Sequence, residues 1–494
     1  MLSHLDPNVV MGFYFSPRGG SAQVAKYLCR ALSSGRWSPT LFAGSLGLAT
    51  ESGNADSFFR GVACNSLDYT GARDGWISGH DAMSGPVPMH ASFEDKPGVP
   101  DRIFFELDDE ACARQVASWT ALFAAHSEVT PSVIHLHHLT PMHQAVRNLW
   151  PDVPVITHLH GTELKMLASV DSPRGSDKAD AADARRTHDG SRFADQWVER
   201  MRGWALDSHR LVVVSEQDRA LALELLPVER ERIETIANGV DMGVFTSDVS
   251  PAPSHRRALW KQWLLDDPQG WRPGASVGSV RYSADDLDAF VDEDGELVPV
   301  VLFVGRFMQF KRIQLLIEAH HEMRLAGGAR SVLVIAGGYP GEWEGEHPYD
   351  TVQRIGAHDV FLVGWRDHDD LAEILSCVDV FAAPAVDEPF GLVYLEAMAA
   401  GIAPIATATG GPLKFINVDP NHPTGWLVTP DDRGGLVRAL SEAVSDSEQR
   451  STRGKCAAEF VGEHYSWARS AQSFADLYGR VICEQAATSA FLVT

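Results

Sequence analysis

The chain has 494 residues, 45% of them hydrophobic and 22% charged, an ordinary globular composition with room for two or three domains that each bury a proper core. A formal net charge of −24 argues against a general nucleic-acid binder and against electrostatic adsorption to an anionic membrane. Six cysteines (Cys29, Cys64, Cys112, Cys377, Cys456 and Cys483) form no CxxC pair, so neither a disulfide framework nor a zinc cluster is indicated and a reducing cytoplasm is expected.

The N-terminal stretch MLSHLDPNVVMGFYFSPRGG lacks a charged segment followed by an apolar run. No stretch reaches the roughly 18 consecutive apolar residues of a membrane span. Farther along, short apolar, β-branched runs alternate with helical patterns, the rhythm of parallel-sheet α/β domains. Strands are expected at 9–15, 39–45, 132–138, 154–160, 210–215 and 233–239. The polar segment 171–197 reads as a mobile loop or a charged surface helix. Residues 246–298 are rich in Pro, Gly and charge, show no strand rhythm, and read as a linker carrying an insertion. The acidic run VDEDGE (291–296) within it reads as a solvated loop rather than a metal-diphosphate site. A second series of strands is expected at 298–306, 331–338, 359–365, 379–385, 402–408 and 425–430. Each half is thus a doubly wound unit whose ligand crevice should lie at the carboxyl ends of its strands.

Several groups could carry chemistry there. Gly19 and Gly20, in SPRGGSAQVAKYLCRAL, let an anionic group approach backbone N–H groups at a helix start, although a tight strand-to-helix turn explains the pair alone and the spacing is not GxGxxG. Arg306 ends the strand VVLFVGR and Lys311 stands at the mouth of the next helix. Two cations beside a helix N-terminus outline a phosphate site, with a pair of solvated surface cations as the plainer alternative. Glu388 precedes another helix start at Gly391, and Glu396 lies inside that helix among Leu392, Val393, Leu395, Ala397, Met398 and Ala399. An ionised Glu is seldom buried without a partner; beside a phosphate site it suits a pair of sugar hydroxyls, so its expected partner is a ligand. Histidines 135, 137, 138, 143, 158 and 160 include two same-face pairs on strands, which makes a metal site geometrically conceivable. No HExxH occurs, substrate hydrogen bonding or packing is the better reading, and no metal site is expected.

Taken together, PRGGSAQVAKYLCRAL, PVITHLHGTEL, VVVSEQDR, IETIANGVDMGVF, LFVGRFMQFKRIQLLIEA, EPFGLVYLEAMAAGIAPIATATGG and GWLVTPDD resemble, in order, the successive blocks of the retaining glycosyltransferases of family 4. The most specific block is a Glu, seven residues and a second Glu, here Glu388 and Glu396. The resemblance implies a GT-B fold, two Rossmann-like doubly wound parallel-sheet domains facing each other across a cleft. It implies an acceptor-side domain at 1–245, a nucleotide-sugar domain at 299–463, and a terminal helix at 464–494 crossing back to the first domain, whereas the linker with insertion at 246–298 departs from the family's usual short linker. It further implies that Arg306 and Lys311 bind the donor diphosphate with the backbone of Gly19, Gly20, Gly391 and Leu392. Glu396 would take the ribose hydroxyls, Glu388 the transferred sugar, and His160 would sit near the reaction centre. Phe390 belongs to the same donor motif, and the backbone at Trp365 and Arg366 would border the base.

The function so implied is transfer from a UDP or GDP sugar to a saccharide or small-molecule acceptor, retaining and metal-independent, with no cofactor beyond the donor. No nucleic-acid partner and no transmembrane segment are expected; SHRRALWKQW (254–263) could touch lipid headgroups. Three alternatives stand beside it: a GT-B-fold sugar-nucleotide epimerase or hydrolase, a non-catalytic sugar-nucleotide-binding protein, and a nicotinamide oxidoreductase, the last disfavoured by the missing glycine fingerprint.

Overall fold

Among the described residues thirteen strands form, where short apolar runs are bounded by turns, and they assemble into two parallel sheets. The computed structural model describes residues 7–49, 51, 53–94, 98–171, 192–247, 251–386 and 388–492. The first sheet contains β1 (Asn8–Phe13), β2 (Ser38–Ser45), β3 (Cys64–Asp68), β4 (Val133–His137), β5 (Val155–His158), β6 (Arg210–Val213) and β7 (Ile233–Thr235), in the order β3-β2-β1-β4-β5-β6-β7. The second contains β8 (Val300–Gly305), β9 (Val332–Gly337), β10 (Val360–Gly364), β11 (Val380–Ala383), β12 (Pro404–Thr407) and β13 (Trp426–Val428), in the order β10-β9-β8-β11-β12-β13. Met11, Leu41, Ile134 and Ile156 in one sheet and Val301, Leu302, Val334 and Phe381 in the other are fully buried. Strands covered on both faces by helices read as continuous hydrophobic runs, and these do.

The sequence expectation missed β3. Its sequence CNSLD alternates weakly and only Leu67 is buried, as befits an edge strand with one sheet neighbour. The segment 171–197 lies mostly outside the described residues, but its end opens the helix Ala194–Asp207, whose Trp197 is buried and donates its indole N–H to the Leu107 carbonyl at 2.6 Å.

The chain divides into two compact units, one of residues 1–239 with 467–494 and one of residues 240–466. In the first unit the last helix, Trp467–Leu492, packs on the helix Gly19–Ser33, with Trp467 stacked on Tyr27 at 5.7 Å between centroids.

Residues 251–298 fold with the second unit and have structure of their own. They carry the helix Pro253–Lys261, a π-helical turn Gln262–Asp266 and a 3-10 stretch Ala284–Phe290. Trp260, Trp263 and Trp271 are each no more than 2% exposed. Trp260 stacks on Phe290, and Trp271 packs on Phe307 and His347. Burying one such ring removes about 150–250 Å² from water, an upper bound of about 4–6 kcal/mol each at the usual area coefficient. Arg256 ties the segment to the sheet through Asp379 at 2.6 Å.

The same segment covers β10, an edge of the second sheet. The Tyr282 hydroxyl accepts the Leu362 N–H at 2.7 Å. Gly270 lies so close that a Cβ there would stand 2.3 Å from the Leu362 carbonyl oxygen. An edge strand with unpaired backbone groups invites pairing with another chain, and covering it is a usual remedy. Composition hid this role because the apolar anchors are isolated tryptophans rather than a periodic stripe. Trp271→Ala is expected to destabilise the second unit by about 3–5 kcal/mol, read as a lowered urea midpoint with secondary structure retained in water.

Candidate functional site

In each doubly wound sheet the strand order reverses once, between β1 and β4 and between β8 and β11. Loops leaving the carboxyl ends of the strands beside that reversal diverge and open a crevice, the usual ligand site of open α/β sheets.

In the second unit, the β8 loop carries Arg306 and Lys311, and the β11 loop carries Glu388. Arg306 is exposed. Lys311 ends the 3-10 turn Gln309–Lys311, after which Arg312 takes a left-handed conformation (φ 54°) and opens the helix Ile313–Leu325. The Lys311 ammonium forms an ion pair with the Glu388 carboxylate, both side chains largely buried. The two switch-point loops are also tied by backbone, with the Val386 N–H donating to the Phe310 carbonyl at 2.8 Å. The expectation of two independent cations is thereby refined, since Lys311 already has an anionic neighbour.

The helix Leu392–Ala399 begins at Gly391, which sits at φ 90° with no space for a Cβ beside Tyr394. Its first turn has N–H groups without intrahelical acceptors and carries no acidic side chain, so an anion would be favoured there. Phe390 is buried and packs edge-on against Phe415. Two glycines place this loop. The Gly411 N–H donates to the Glu388 carbonyl at 2.8 Å. A Cβ on Gly411 would lie 2.3 Å from the Phe390 carbonyl oxygen, and one on Gly410 2.4 Å from that of Glu388. The TATGG stretch is therefore a seat for the Glu388 loop.

Glu396 is 7% exposed, and its expected pairing with a ligand alone is corrected by the fold. His368, at the start of the helix His368–Ser376, places Nε2 2.9 Å from Glu396 Oε1. Phe245 packs edge-on against that imidazole at 5.1 Å. Sequence reasoning passed over His368 because it sits in a charged stretch, RDHDD, remote from Glu396. Its place after the β10 loop was the available signal. In that loop Trp365 is 41% exposed and packs against Tyr339. The Arg366 guanidinium turns instead toward 251–298, pairing with Asp267 at 2.7 Å and lying over the Trp263 ring.

In the first unit, Gly19 and Gly20 are the first two residues of the helix Gly19–Ser33 rather than a turn before it. Gly19 has φ 75° with open space at its Cβ position, and the first turn lacks acidic residues. His160 follows β5. Its backbone N–H donates to Glu163 Oε1 at 3.1 Å, and its Nε2 lies 2.9 Å from His137 Nδ1. Burial, and then the neighbouring His158, His138 and His135, hold its pKa well below the usual imidazole value, so the ring is neutral near pH 7. Hydrogen bonding rather than charge is what such a ring offers a substrate.

Comparison with known sequences assigns both halves. Residues 18–244 match the family model described as Glycosyltransferase Family 4, and residues 290–460 match Glycosyl transferases group 1. The chain belongs to glycosyltransferase family 4.

Among curated relatives of the family, a D-inositol 3-phosphate glycosyltransferase of Corynebacterium diphtheriae is 32% identical over 36% of this chain and 42% of its own length. A glycogen synthase of Halorhodospira halophila is 27% identical over 53% of this chain and 51% of its own length. The chain thus spans about half the length of the first curated relatives it matches. An alpha-maltose-1-phosphate synthase of Mycolicibacterium smegmatis is 27% identical over 59% of this chain and 68% of its own. Among solved structures, sucrose-phosphate synthase of Thermosynechococcus elongatus superposes with a TM-score of 0.63 at 19% identity, covering 97% of this chain and all of that one. Anabaena HepE in complex with UDP-glucose gives 0.59 at 14% identity, covering 96% and 99%. These neighbours share the GT-B fold, two parallel-sheet α/β domains.

Two outcomes follow from this geometry. Gly411→Ala forces the Glu388–Phe390 backbone to shift, so the second unit should lose about 1–3 kcal/mol of stability, the usual cost of overpacking a close contact, read as a lowered midpoint in thermal melting. Burial lowers the pKa of His135 from 6.5 to about 3, and His137, His158 and His160 also lie well below 6.5. The unfolded state therefore binds more protons in this window. Each such histidine contributes stability that is present above about pH 6.5 and lost as pH falls toward its folded value, at up to about 1.4 kcal/mol per pH unit. Denaturant midpoints measured from pH 7.5 downward should decline steeply below about pH 6.5.

Proposed function

We propose that this family 4 chain is a retaining, metal-independent glycosyltransferase that moves a sugar from a UDP or GDP sugar to a saccharide or small-molecule acceptor in the cytoplasm. The observation that carries the reading is the gathering of Arg306, Lys311, Glu388 and the helix start at Gly391–Leu392 around the switch point of the second sheet. In this reading residues 299–463 hold the donor, residues 1–245 the acceptor, and 464–494 complete the acceptor-side domain.

Loss of a nucleoside diphosphate leaves negative charge on phosphate, and fixed cations with a helix N-terminus stabilise it where it develops. Arg306 and Lys311 supply the cations, and the amides of Gly391 and Leu392 the helix dipole. The ion pair with Lys311 orients Glu388 toward the transferred sugar's hydroxyls. His368 orients Glu396, leaving its carboxylate to accept from the ribose hydroxyls, and the backbone of Trp365 and Arg366 borders the base. On the acceptor side, Gly19 and Gly20 offer backbone N–H groups at the start of their helix, and neutral His160 offers a hydrogen bond. Retention implies attack from the face that the leaving group vacates, with a phosphate oxygen taking the acceptor proton.

Anabaena HepE, solved with UDP-glucose, supports a nucleoside-diphosphate-sugar donor. The relatives named as D-inositol 3-phosphate glycosyltransferase and alpha-maltose-1-phosphate synthase support a small-molecule or saccharide acceptor. No helix among the described residues is long and apolar enough to cross a membrane.

Calorimetric titration with UDP, GDP, ADP and TDP tests the reading. One of UDP and GDP should bind, and Arg306→Ala should weaken it by about 10–100-fold, the loss of a charge-assisted hydrogen bond. Absence of binding by all four, together with no transfer from UDP or GDP sugars, would overturn it.

A further inference from the structure

The first sheet carries a second polar cluster on one face, and the proposed transfer chemistry does not account for all of it. His135 and His137 are two residues apart on β4 and therefore share a face. His158 on β5 stands opposite His137 in the parallel register, which puts it on that face too. All three are wholly buried. The last helix closes over them, with Phe474 packed on His135 at 5.0 Å and on His158 at 5.1 Å. His143, by contrast, bonds Thr157 at 2.8 Å, on the opposite side of β5.

A buried imidazole nitrogen without a hydrogen-bond partner is costly, and here several occur together. His135 Nε2, His137 Nε2 and both ring nitrogens of His158 meet no hydrogen-bond partner among the described protein groups. One ligand nitrogen from each of the three rings lies within 4.8 Å of the others. The outer nitrogens are tied down: His135 Nδ1 lies 2.6 Å from the Tyr478 hydroxyl and His137 Nδ1 lies 2.9 Å from His160 Nε2. In metal-bound histidines the nitrogen away from the metal is likewise oriented by a hydrogen bond.

We infer that His135, His137 and His158 form a buried three-histidine site for a divalent transition metal of the zinc class. Imidazole nitrogens suit zinc, copper and nickel, whereas magnesium and calcium require oxygen ligands. A metal–nitrogen distance of about 2.0–2.1 Å places tetrahedral ligand nitrogens about 3.4 Å apart, so the rings close by about an ångström on loading. The His135 and His137 rings are nearly parallel, at 16°, and tilt about χ2, a soft torsion. Glu163, fully buried, lies 3.2 Å from His138 Nδ1 and bonds the backbone of His160, the residue whose ring meets His137. The inference does not rest on the transferase reading. The site's role is to brace β4 and β5 under the last helix and to fix, through His137, the tautomer of His160.

The full chain, stripped with chelator, loaded with Zn²⁺ alone and dialysed, is assayed for metal by plasma mass spectrometry. The expected result is about one equivalent of zinc, lost in His158→Gln and in His135→Gln and retained when the exposed His255 and His464 are both replaced by Ala. Circular dichroism checks that the variants fold. Loading the parent chain with Co²⁺ gives a readout that needs no variant. Intense visible bands of a four-coordinate site, three imidazoles and one exogenous ligand, support the proposal, and only weak six-coordinate absorption opposes it. Zinc below about a tenth of an equivalent, or zinc retained in both core variants with intact spectra, overturns it.

Discussion

A parallel sheet must return each strand to the same end, so all its carboxyl-end loops gather along one rim, and where the winding reverses two of those loops part. That constraint organises both units. It brings residues far apart in sequence, Lys311 and Glu388 across 77 positions, into one ion pair. It also sets the register that lines up His135, His137 and His158 on one sheet face. Chemistry then depends on how firmly the parted loops are seated, and in the second unit the seat is backbone on backbone, Gly410 and Gly411 beneath Glu388 and Phe390. Side-chain identity at Glu388 acts through a position that glycine makes reachable.

The sheets were legible in the sequence because strands buried on both faces have little choice of residue. Runs such as VVLFVG and SVLVIAGG permit hardly any other reading, and twelve expected strands coincide with those observed to within a few residues. The exceptions share a cause. β3 is half polar because it lies on an edge, and residues 251–298 lack periodicity because three tryptophans, each filling its own niche, do the packing. Periodic patterns report regular faces and are silent about single large anchors.

The candidate site was legible as a set of residues and illegible as a set of partners. Arg306, Lys311, Glu388 and Glu396 stood out by residue type at turns and helix starts. That Lys311 would meet Glu388 and that His368 would meet Glu396 depended on loop paths no local pattern records. The histidines show the same division: alternation gave their common face within each strand, whereas the inter-strand register and the cover of Phe474 and Tyr478 are properties of the fold.

The last helix also bears on the order in which the protein is made. Residues 240–466 form a unit from one continuous stretch, whereas the unit of residues 1–239 includes 467–494. Its sheet face is closed by contacts such as His135 with Tyr478, 343 positions away. Domains fold as units while a chain grows, and distant contacts carry a loop-closure cost. The second unit can therefore finish first. The first keeps its histidine-bearing face uncovered until the closing helix has been made.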